Sequence, residues 1–191
     1  MNRRKAIGRI FAIGAVGAGA FAGYKWWEWH KSPDYAYLDS HRRTIAAMAQ
    51  TILPADGTPG AIECGVPEYI ILSIHDNADH MTANKFIDGL KDVDHHCRSK
   101  YDRPYEACTP AQQVDVLTHF EKKGMPMNGV AGKVQERFLG KSFFLLLKEY
   151  AVKGYCTSEA GMTRALAYVP VPGSYHGCIP LLPGQPVWAT K

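Results

Sequence analysis

Cysteine is the residue type with the most reactive side chain in this sequence, which contains five: Cys64, Cys97, Cys108, Cys156 and Cys178. None of them forms a Cys-x-x-Cys pair, so a thioredoxin-like motif, a haem-attachment motif and a zinc ribbon all lack support. Cys97 and Cys108 are the natural disulfide pair, because one lies near the end of a predicted helix and the other just before the next helix. The odd count leaves at least one thiol that is either free and buried or bonded to another chain.

Histidine and aspartate supply the second group of residues that could do chemistry. His75, Asp76, Asp79 and His80 lie near the end of a predicted helix, and the pair 95–96 adds two more histidines. Such side chains could hold zinc or another transition metal, but a solvated helix end explains the same residues more simply. We therefore predict no catalytic residue and no metal site in this chain.

The elements that position these residues are predicted to be helices joined by loops rich in proline and glycine. Asp39 or Ser40 is the expected N-cap of the first helix and Pro54 its end, and Thr109 with Gln112 forms a capping box. No stretch alternates apolar and polar residues as a half-buried strand does. The fold class is therefore predicted to be all-α, a compact domain of about five to six helices. Apolar spacing places them at about residues 38–53, 67–76, 86–101, 109–120, 133–152 and 158–167.

One of these helices is apolar on every side. Its run from Phe143 to Leu147 reads Phe-Phe-Leu-Leu-Leu. A helix without a polar face is normally buried in the centre of a domain or pressed against another protein. The sequence alone leaves both possibilities open.

Residues 1–30 have the features of a twin-arginine export leader. Arg3 and Arg4 precede an uncharged, Gly/Ala-rich run from 10 to 23, and this type of leader directs proteins that are already folded. An ordinary secretory leader or a short membrane anchor is the alternative. Cleavage after Ala22 fits the small residues there, whereas the aromatic cluster at 24–29 suits an uncleaved leader at the membrane surface. We expect a periplasmic protein associated with the inner membrane.

The net positive charge of the chain comes from this leader. The whole sequence has 22 lysines and arginines against 18 aspartates and glutamates. Subtracting the five bases and one acid of residues 1–30 leaves 17 of each, so the remaining body is neutral. No basic stripe remains for phosphate contacts, and we predict no nucleic-acid partner.

The last 24 residues, 168–191, form an apolar arm rather than a helix. Five prolines forbid a helix and favour an extended course, yet valines, leucines and Trp188 make the segment too apolar for a disordered tail. Such an arm needs a surface, which is either its own helical body or a second subunit. The predicted organisation is a leader at 1–30, a helical domain at 31–167 and the arm at 168–191.

Three segments resemble one known family. They are ILPADGTPGA (52–61) with its sequel GVPEYI (65–70), then GYCTSE (154–159), and finally VPVPGSYHGCIP (169–180). Together they resemble the gluconate 2-dehydrogenase subunit 3 family, the small subunits of exported flavin-dependent sugar and polyol dehydrogenases. Cys156 departs from that pattern, because an aromatic residue is more usual after Gly154-Tyr155.

The resemblance implies that this chain has no catalytic activity and no cofactor of its own. Family members pair with a large catalytic subunit that carries FAD and oxidises a sugar, a sugar acid or a polyol. Electrons then usually pass to a multihaem cytochrome c subunit. The large subunit typically has no leader, so the small subunit's signal would take the folded pair through the twin-arginine translocase and help the large subunit to mature.

A partner is expected to contact the apolar helix, the second family segment and the arm. Cys178 is the first candidate for a disulfide to that partner, because the arm is the expected contact. The alternative function is an independent exported helical protein that binds a metal or haem through its histidines. The predicted interface residues are Phe143, Phe144, Tyr155, Pro170, Pro172, Tyr175, Ile179 and Trp188.

Overall fold

A computed structural model of the protein describes residues 23, 31–125, 129, 140–169, 171, 173, 178, 180 and 183–188. Arg3 and Arg4 of the predicted leader lie outside the described residues. So do four predicted interface residues of the arm, Pro170, Pro172, Tyr175 and Ile179.

The described part of the chain is helical, which confirms the predicted all-α class. It contains two π-helical segments, Ser73–Asn77 and Gly161–Ala165, and a single 3₁₀ turn at Tyr105–Ala107. Across the described ranges no strand is present, and none of their helices is both long and apolar enough to span a bilayer. The α-helices are α1 (Tyr35–Ser40), α2 (Arg42–Ile52), α3 (Val66–Leu72), α4 (His80–Tyr101), α5 (Pro110–Gly124) and α6 (Phe143–Thr157).

The first predicted helix is divided in two, and its predicted cap is wrong. The side chain of Asp34 caps α1 by accepting a hydrogen bond from the Tyr37 N–H at 3.1 Å. Asp39 instead accepts a hydrogen bond from the Arg42 guanidinium at 3.0 Å. The predicted end is confirmed, because α2 stops at Ile52, just before Pro54. The division matters little for packing, since Leu38 and Ile45 from the two helices enter the same core.

The capping box predicted for α5 is confirmed. The Thr109 hydroxyl accepts a hydrogen bond from the Gln112 N–H at 3.4 Å, and the Gln112 side-chain oxygen accepts one from the Thr109 N–H at 2.9 Å. The two bonds satisfy donors that the first turn of a helix leaves without partners, and Pro110 has no N–H to satisfy. Asp79 performs a similar role for α4 by accepting from the Thr82 N–H at 2.9 Å.

The helix predicted at 133–152 is wrong in its central stretch. Residues 140–142 are not helical, because Gly140 has a positive φ of 68° and Ser142 is extended, with ψ at 161°. Helix α6 starts at Phe143 and runs to Thr157, five residues beyond the predicted end. Residues 133–139 of the prediction lie outside the described residues.

Helix α6 occupies the centre of the domain. It packs against α2, α3, α4 and α5, and Leu147 and Ala151 are completely buried. At its start the Phe143 ring lies 5.3 Å from that of Phe86 and 6.1 Å from that of Phe120, measured between centroids. The apolar run is thus largely covered by the chain's own helices, which is the first of the two possibilities that the sequence left open.

The turn between α4 and α5 is anchored to α2 by a buried tyrosine. The Tyr105 hydroxyl donates to the Thr51 hydroxyl at 3.0 Å, and the Gln113 amide donates to the Tyr105 carbonyl at 3.2 Å. The neighbouring Glu106 carboxylate accepts a hydrogen bond from the Thr44 hydroxyl at 2.9 Å. Burial raises the pKa of the Tyr105 phenol, so the phenol remains a donor at any physiological pH.

Candidate functional site

Two of the three segments that carry the family resemblance meet in space. Helix α3 packs along α6, and the Tyr69 ring lies directly over Gly154. A Cβ on residue 154 would stand only 2.8 Å from Cδ1 and 2.9 Å from Cγ of that ring. Glycine at this position therefore allows the close approach of the two helices.

The loop before α3 is held in place by its own backbone. The Ala61 N–H donates to the Leu53 carbonyl, and the Val66 N–H donates to the Ala61 carbonyl, each at 3.0 Å. The Gln50 side chain from α2 accepts a hydrogen bond from the Ile62 N–H at 3.1 Å. These bonds make the loop of residues 53–65 a fixed part of the surface.

The π-helical segment after α6 is tied both to α6 and to this loop. The Ser158 hydroxyl accepts a hydrogen bond from the Gly161 N–H at 3.0 Å, so Ser158 caps this segment. Arg164 forms an ion pair with Glu63 of the loop. A groove of about 500 Å³ lies between the two segments, and Cys64 and Glu159 contribute to its lining.

Residues 187–188 of the arm pair with the end of the helical domain, where the arm begins. The Ala167 N–H donates to the Val187 carbonyl at 2.8 Å, and Ala167 and Trp188 form an isolated parallel β-bridge. This pairing brings the chain at 187–188 back to the end of the helical domain. Trp188 remains 48% exposed.

Most of the exposed large apolar side chains in the described part of the chain lie on these connected elements. We call the set formed by loop 53–65, α3, the last turns of α6, segment 161–165 and the described residues of the arm the docking end. Only Val114 and Met125, of α5 and its end, are exposed elsewhere among the described residues. The exposed apolar residues of the docking end are Ile62, Leu72, Val152, Tyr168, Val169, Val171, Val187 and Trp188.

A comparison with protein-family models decides the family. The model for gluconate 2-dehydrogenase subunit 3 matches residues 39–173, well over half of the 191 residues. The chain belongs to the gluconate 2-dehydrogenase subunit 3 family. No curated protein matches the chain, and no solved structure does.

The predicted interface residues of this subunit 3 chain fall into two groups. Phe144 is 8% exposed and Phe143 packs within the aromatic cluster of the core, so both rings mainly serve the chain's own fold. Tyr155 is half-buried against the core, whereas Trp188 stands at the surface. The role of these residues in an interface stays a prediction.

The described cysteines are all free thiols. Cys64, Cys97 and Cys108 are buried, Cys156 is half-buried and Cys178 is exposed in the arm. Burial together with the neighbouring Cys108 raises the pKa of Cys97 to about 12. The structure thus brings the predicted pair together, while the disulfide itself stays a prediction.

The histidines and aspartates considered for metal binding have separate local roles. His75 hydrogen-bonds Asp76 at 2.9 Å, Asp79 caps α4, and His95 points to solvent. Within the described ranges, no group of three or more histidine, cysteine or carboxylate side chains is placed to hold a metal ion.

A histidine pair between α4 and α5 was not expected from the sequence. The rings of His96 and His119 stack with centroids 4.4 Å apart, and Nε2 of His96 is buried without a hydrogen-bond partner. Burial, the neighbouring His119 and the Lys100 ammonium lower the pKa of His96, and Asp115 opposes them. Lys123 acts in the same direction as Lys100. The two histidines lie 23 positions apart in the sequence, which hides the pair.

The histidine pair predicts a loss of stability in mild acid. Because the folded pKa of His96 is lowered, the unfolded chain takes up a proton first as the pH falls through about 6.5. Folding is therefore destabilised below that pH. We expect the melting temperature of the wild type to fall between pH 7.5 and pH 5. The melting temperature of the His96→Phe variant should fall less over the same range. The same change at the exposed neighbour, His95→Phe, is the control. An identical pH profile for wild type and His96→Phe would contradict this prediction.

Proposed function

We propose that this chain is the non-catalytic small subunit of an exported FAD-dependent dehydrogenase complex that oxidises a sugar, a sugar acid or a polyol. It supplies the twin-arginine signal that takes the folded pair to the periplasm, and it stabilises the catalytic flavoprotein during assembly. Membership of the gluconate 2-dehydrogenase subunit 3 family supports a dehydrogenase partner. The paired arginines at 3 and 4 support the route of export.

The observation that carries the proposal is the apolar docking end. An exposed valine or tryptophan is common when isolated, but a concentration of such residues on connected elements is typical of a protein-binding surface. Val171 is 81% exposed and Trp188 48% exposed, and both lie in the arm. The ion pair between Arg164 and Glu63 and the backbone hydrogen bond from Ala167 to Val187 hold the base of that arm. A surface fixed before binding loses little conformational entropy when a partner covers it.

In this proposal the cofactors belong to the partners. FAD resides in the large subunit, and c-type haem resides in a multihaem cytochrome that receives the electrons. Inner-membrane association arises from the cytochrome or from an uncleaved leader. Cys178, exposed in the arm, is the first candidate for a disulfide to the large subunit.

Purification from native membranes tests the proposal. A C-terminally tagged chain is expected to bring down a flavin-containing dehydrogenase, identified by mass spectrometry and by the flavin absorbance spectrum. Non-reducing electrophoresis of the same sample shows whether Cys178 joins the two subunits, because a Cys178→Ala variant would lose the mixed dimer. A chain recovered alone and colourless, or alone with bound metal or haem, would refute the subunit role.

A charged residue in the docking end should separate the partners. Val171→Asp is expected to reduce recovery of the flavoprotein at least about tenfold, because an unpaired carboxylate would be buried in the interface. Val114→Asp is the matched control, since Val114 is 54% exposed on α5, outside the docking end. Equal recovery with Val171→Asp and Val114→Asp would place the interface elsewhere.

A further inference from the structure

Cys97 and Cys108 form a buried dithiol between α4 and α5. Cys97 lies in the last turns of α4 and is completely buried, while Cys108 is 6% exposed and immediately precedes the capping box of α5. Both residues belong to the same buried core cluster, the turn Tyr105–Ala107 packs against α4, and the Cys108 thiol donates to the Pro104 carbonyl at 3.5 Å. Burial and the neighbouring Cys108 raise the pKa of Cys97. The pair thus lies at the two ends of the turn that carries Tyr105 and Glu106.

We propose that Cys97 and Cys108 are converted to a disulfide after the folded chain reaches an oxidising compartment, and that this bond joins the end of α4 to the start of α5. The timing rests on the proposed export. The formation of the bond does not, because it requires only the two neighbouring buried thiols and an oxidant. Disulfides persist in the periplasm, whereas the cytoplasm keeps thiols reduced.

The oxidant is a protein or small molecule that carries a reactive disulfide. Cys108 is the first nucleophile, because burial and the pKa of about 12 keep Cys97 protonated and out of reach. The Cys108 thiolate attacks the oxidant's disulfide, forms a mixed disulfide and releases one oxidant thiol. Cys97 then attacks the Cys108 sulfur, which forms the internal bond and releases the second thiol. Two protein thiols and one oxidant disulfide become one protein disulfide and two oxidant thiols.

The bond would stabilise the turn that holds α4 and α5 against α2. The turn that it closes holds Tyr105 against Thr51 and Glu106 against Thr44, so it is one of the connections between α2 and the α4–α5 pair. A covalent link across this turn limits the conformations of the unfolded chain. The expected gain is a rise in melting temperature of about 5–10 °C.

Peptide mapping of the full-length chain tests the proposal directly. The purified reduced protein is incubated with oxidised glutathione at pH 8, then denatured, alkylated with iodoacetamide and digested with trypsin. Cleavage after Arg98 and Lys100 separates the cysteines into peptides 92–98 and 101–122. We expect these two peptides to be linked, with a mass 2 Da below their sum, and the melting temperature to rise on oxidation.

Variants distinguish this bond from any other. Cys108→Ser and Cys97→Ala should each abolish the oxidation-dependent rise, while Cys178→Ala, which removes an exposed thiol, should retain it. Alkylation of both Cys97 and Cys108 after oxidation, or linkage of either to another cysteine, would overturn the proposal. In cells, the Arg3→Lys/Arg4→Lys variant is expected to stay in the cytoplasm, and its Cys97 and Cys108 should remain a dithiol. A dithiol in exported wild-type protein would overturn the proposed timing. A disulfide in wild-type protein that stays in the cytoplasm would overturn both the timing and the proposed export, and would leave only the bond itself standing.

Discussion

A chain in which Arg3 and Arg4 are both replaced by lysine is expected to remain in the cytoplasm together with its dehydrogenase partner. The change preserves both positive charges but replaces two planar guanidinium groups, each with five fixed donors, by point charges. Attraction of the leader to an anionic membrane surface is therefore conserved. Recognition that depends on the arginine side chain is lost. Dehydrogenase activity in the periplasmic and membrane fractions should fall to background while activity in the cytoplasm rises.

The arginine at position 9 offers a matched control within the same leader. Arg9→Lys makes the identical chemical change outside the arginine pair, so export should be normal. Fractionation of cells carrying each variant, with dehydrogenase activity and an immunoblot of the tagged chain as readouts, checks both. Export of the partner by the Arg3→Lys/Arg4→Lys chain would show that residues 1–30 act as an ordinary secretory leader or anchor. The subunit role would then survive without the export role.

The sequence predicted best those features that depend on neighbouring residues. The capping box at Thr109 and Gln112 and the helices predicted at 67–76 and 86–101 all follow from residues within a few turns. Each is a local property, since helical spacing and cap chemistry act over three or four residues. The family segments also required no tertiary information.

Contacts across long stretches of sequence could not be predicted. The pairing of Ala167 with Trp188, the stacking of His96 on His119 and the ion pair between Glu63 and Arg164 depend on how the helices pack. The break in the predicted helix at position 140 could not be predicted for a different reason. Apolar residues on both sides of Gly140 continue a helical pattern, but its positive φ breaks the helix locally.

The apolar run of α6 illustrates an ambiguity that composition cannot remove. A helix without a polar face can pack against its own core or against a second protein with the same residues. The structure places Phe144, Leu146 and Leu147 in the core of the chain itself. The candidate interface moves accordingly to the exposed valines and the tryptophan of the docking end.

Gly154→Val is expected to destabilise the chain strongly, although it introduces no charge. The first carbon of the new side chain would overlap the Tyr69 ring at 2.8 Å, so α3 and α6 must move apart. Overpacking of this kind costs about 2–3 kcal/mol, and for a domain of this size the melting temperature should fall by about 5–10 °C. The improved helix propensity of valine over glycine offsets only a few tenths of a kcal/mol. Thermal unfolding of the purified chain measures the effect.

The cause of that loss can be isolated with a second substitution. If the Tyr69 ring is the obstacle, Tyr69→Ala should restore stability in the Gly154→Val chain, although it destabilises the wild type by removing a half-buried ring. Lys148→Val places the same side chain at an exposed position of α6 and should change stability by no more than about 0.5 kcal/mol. Additive effects of Gly154→Val and Tyr69→Ala would show that the two residues do not constrain each other. Because α3 and α6 support the docking end, the destabilised single variant should also recover less flavoprotein, and the double variant should recover more.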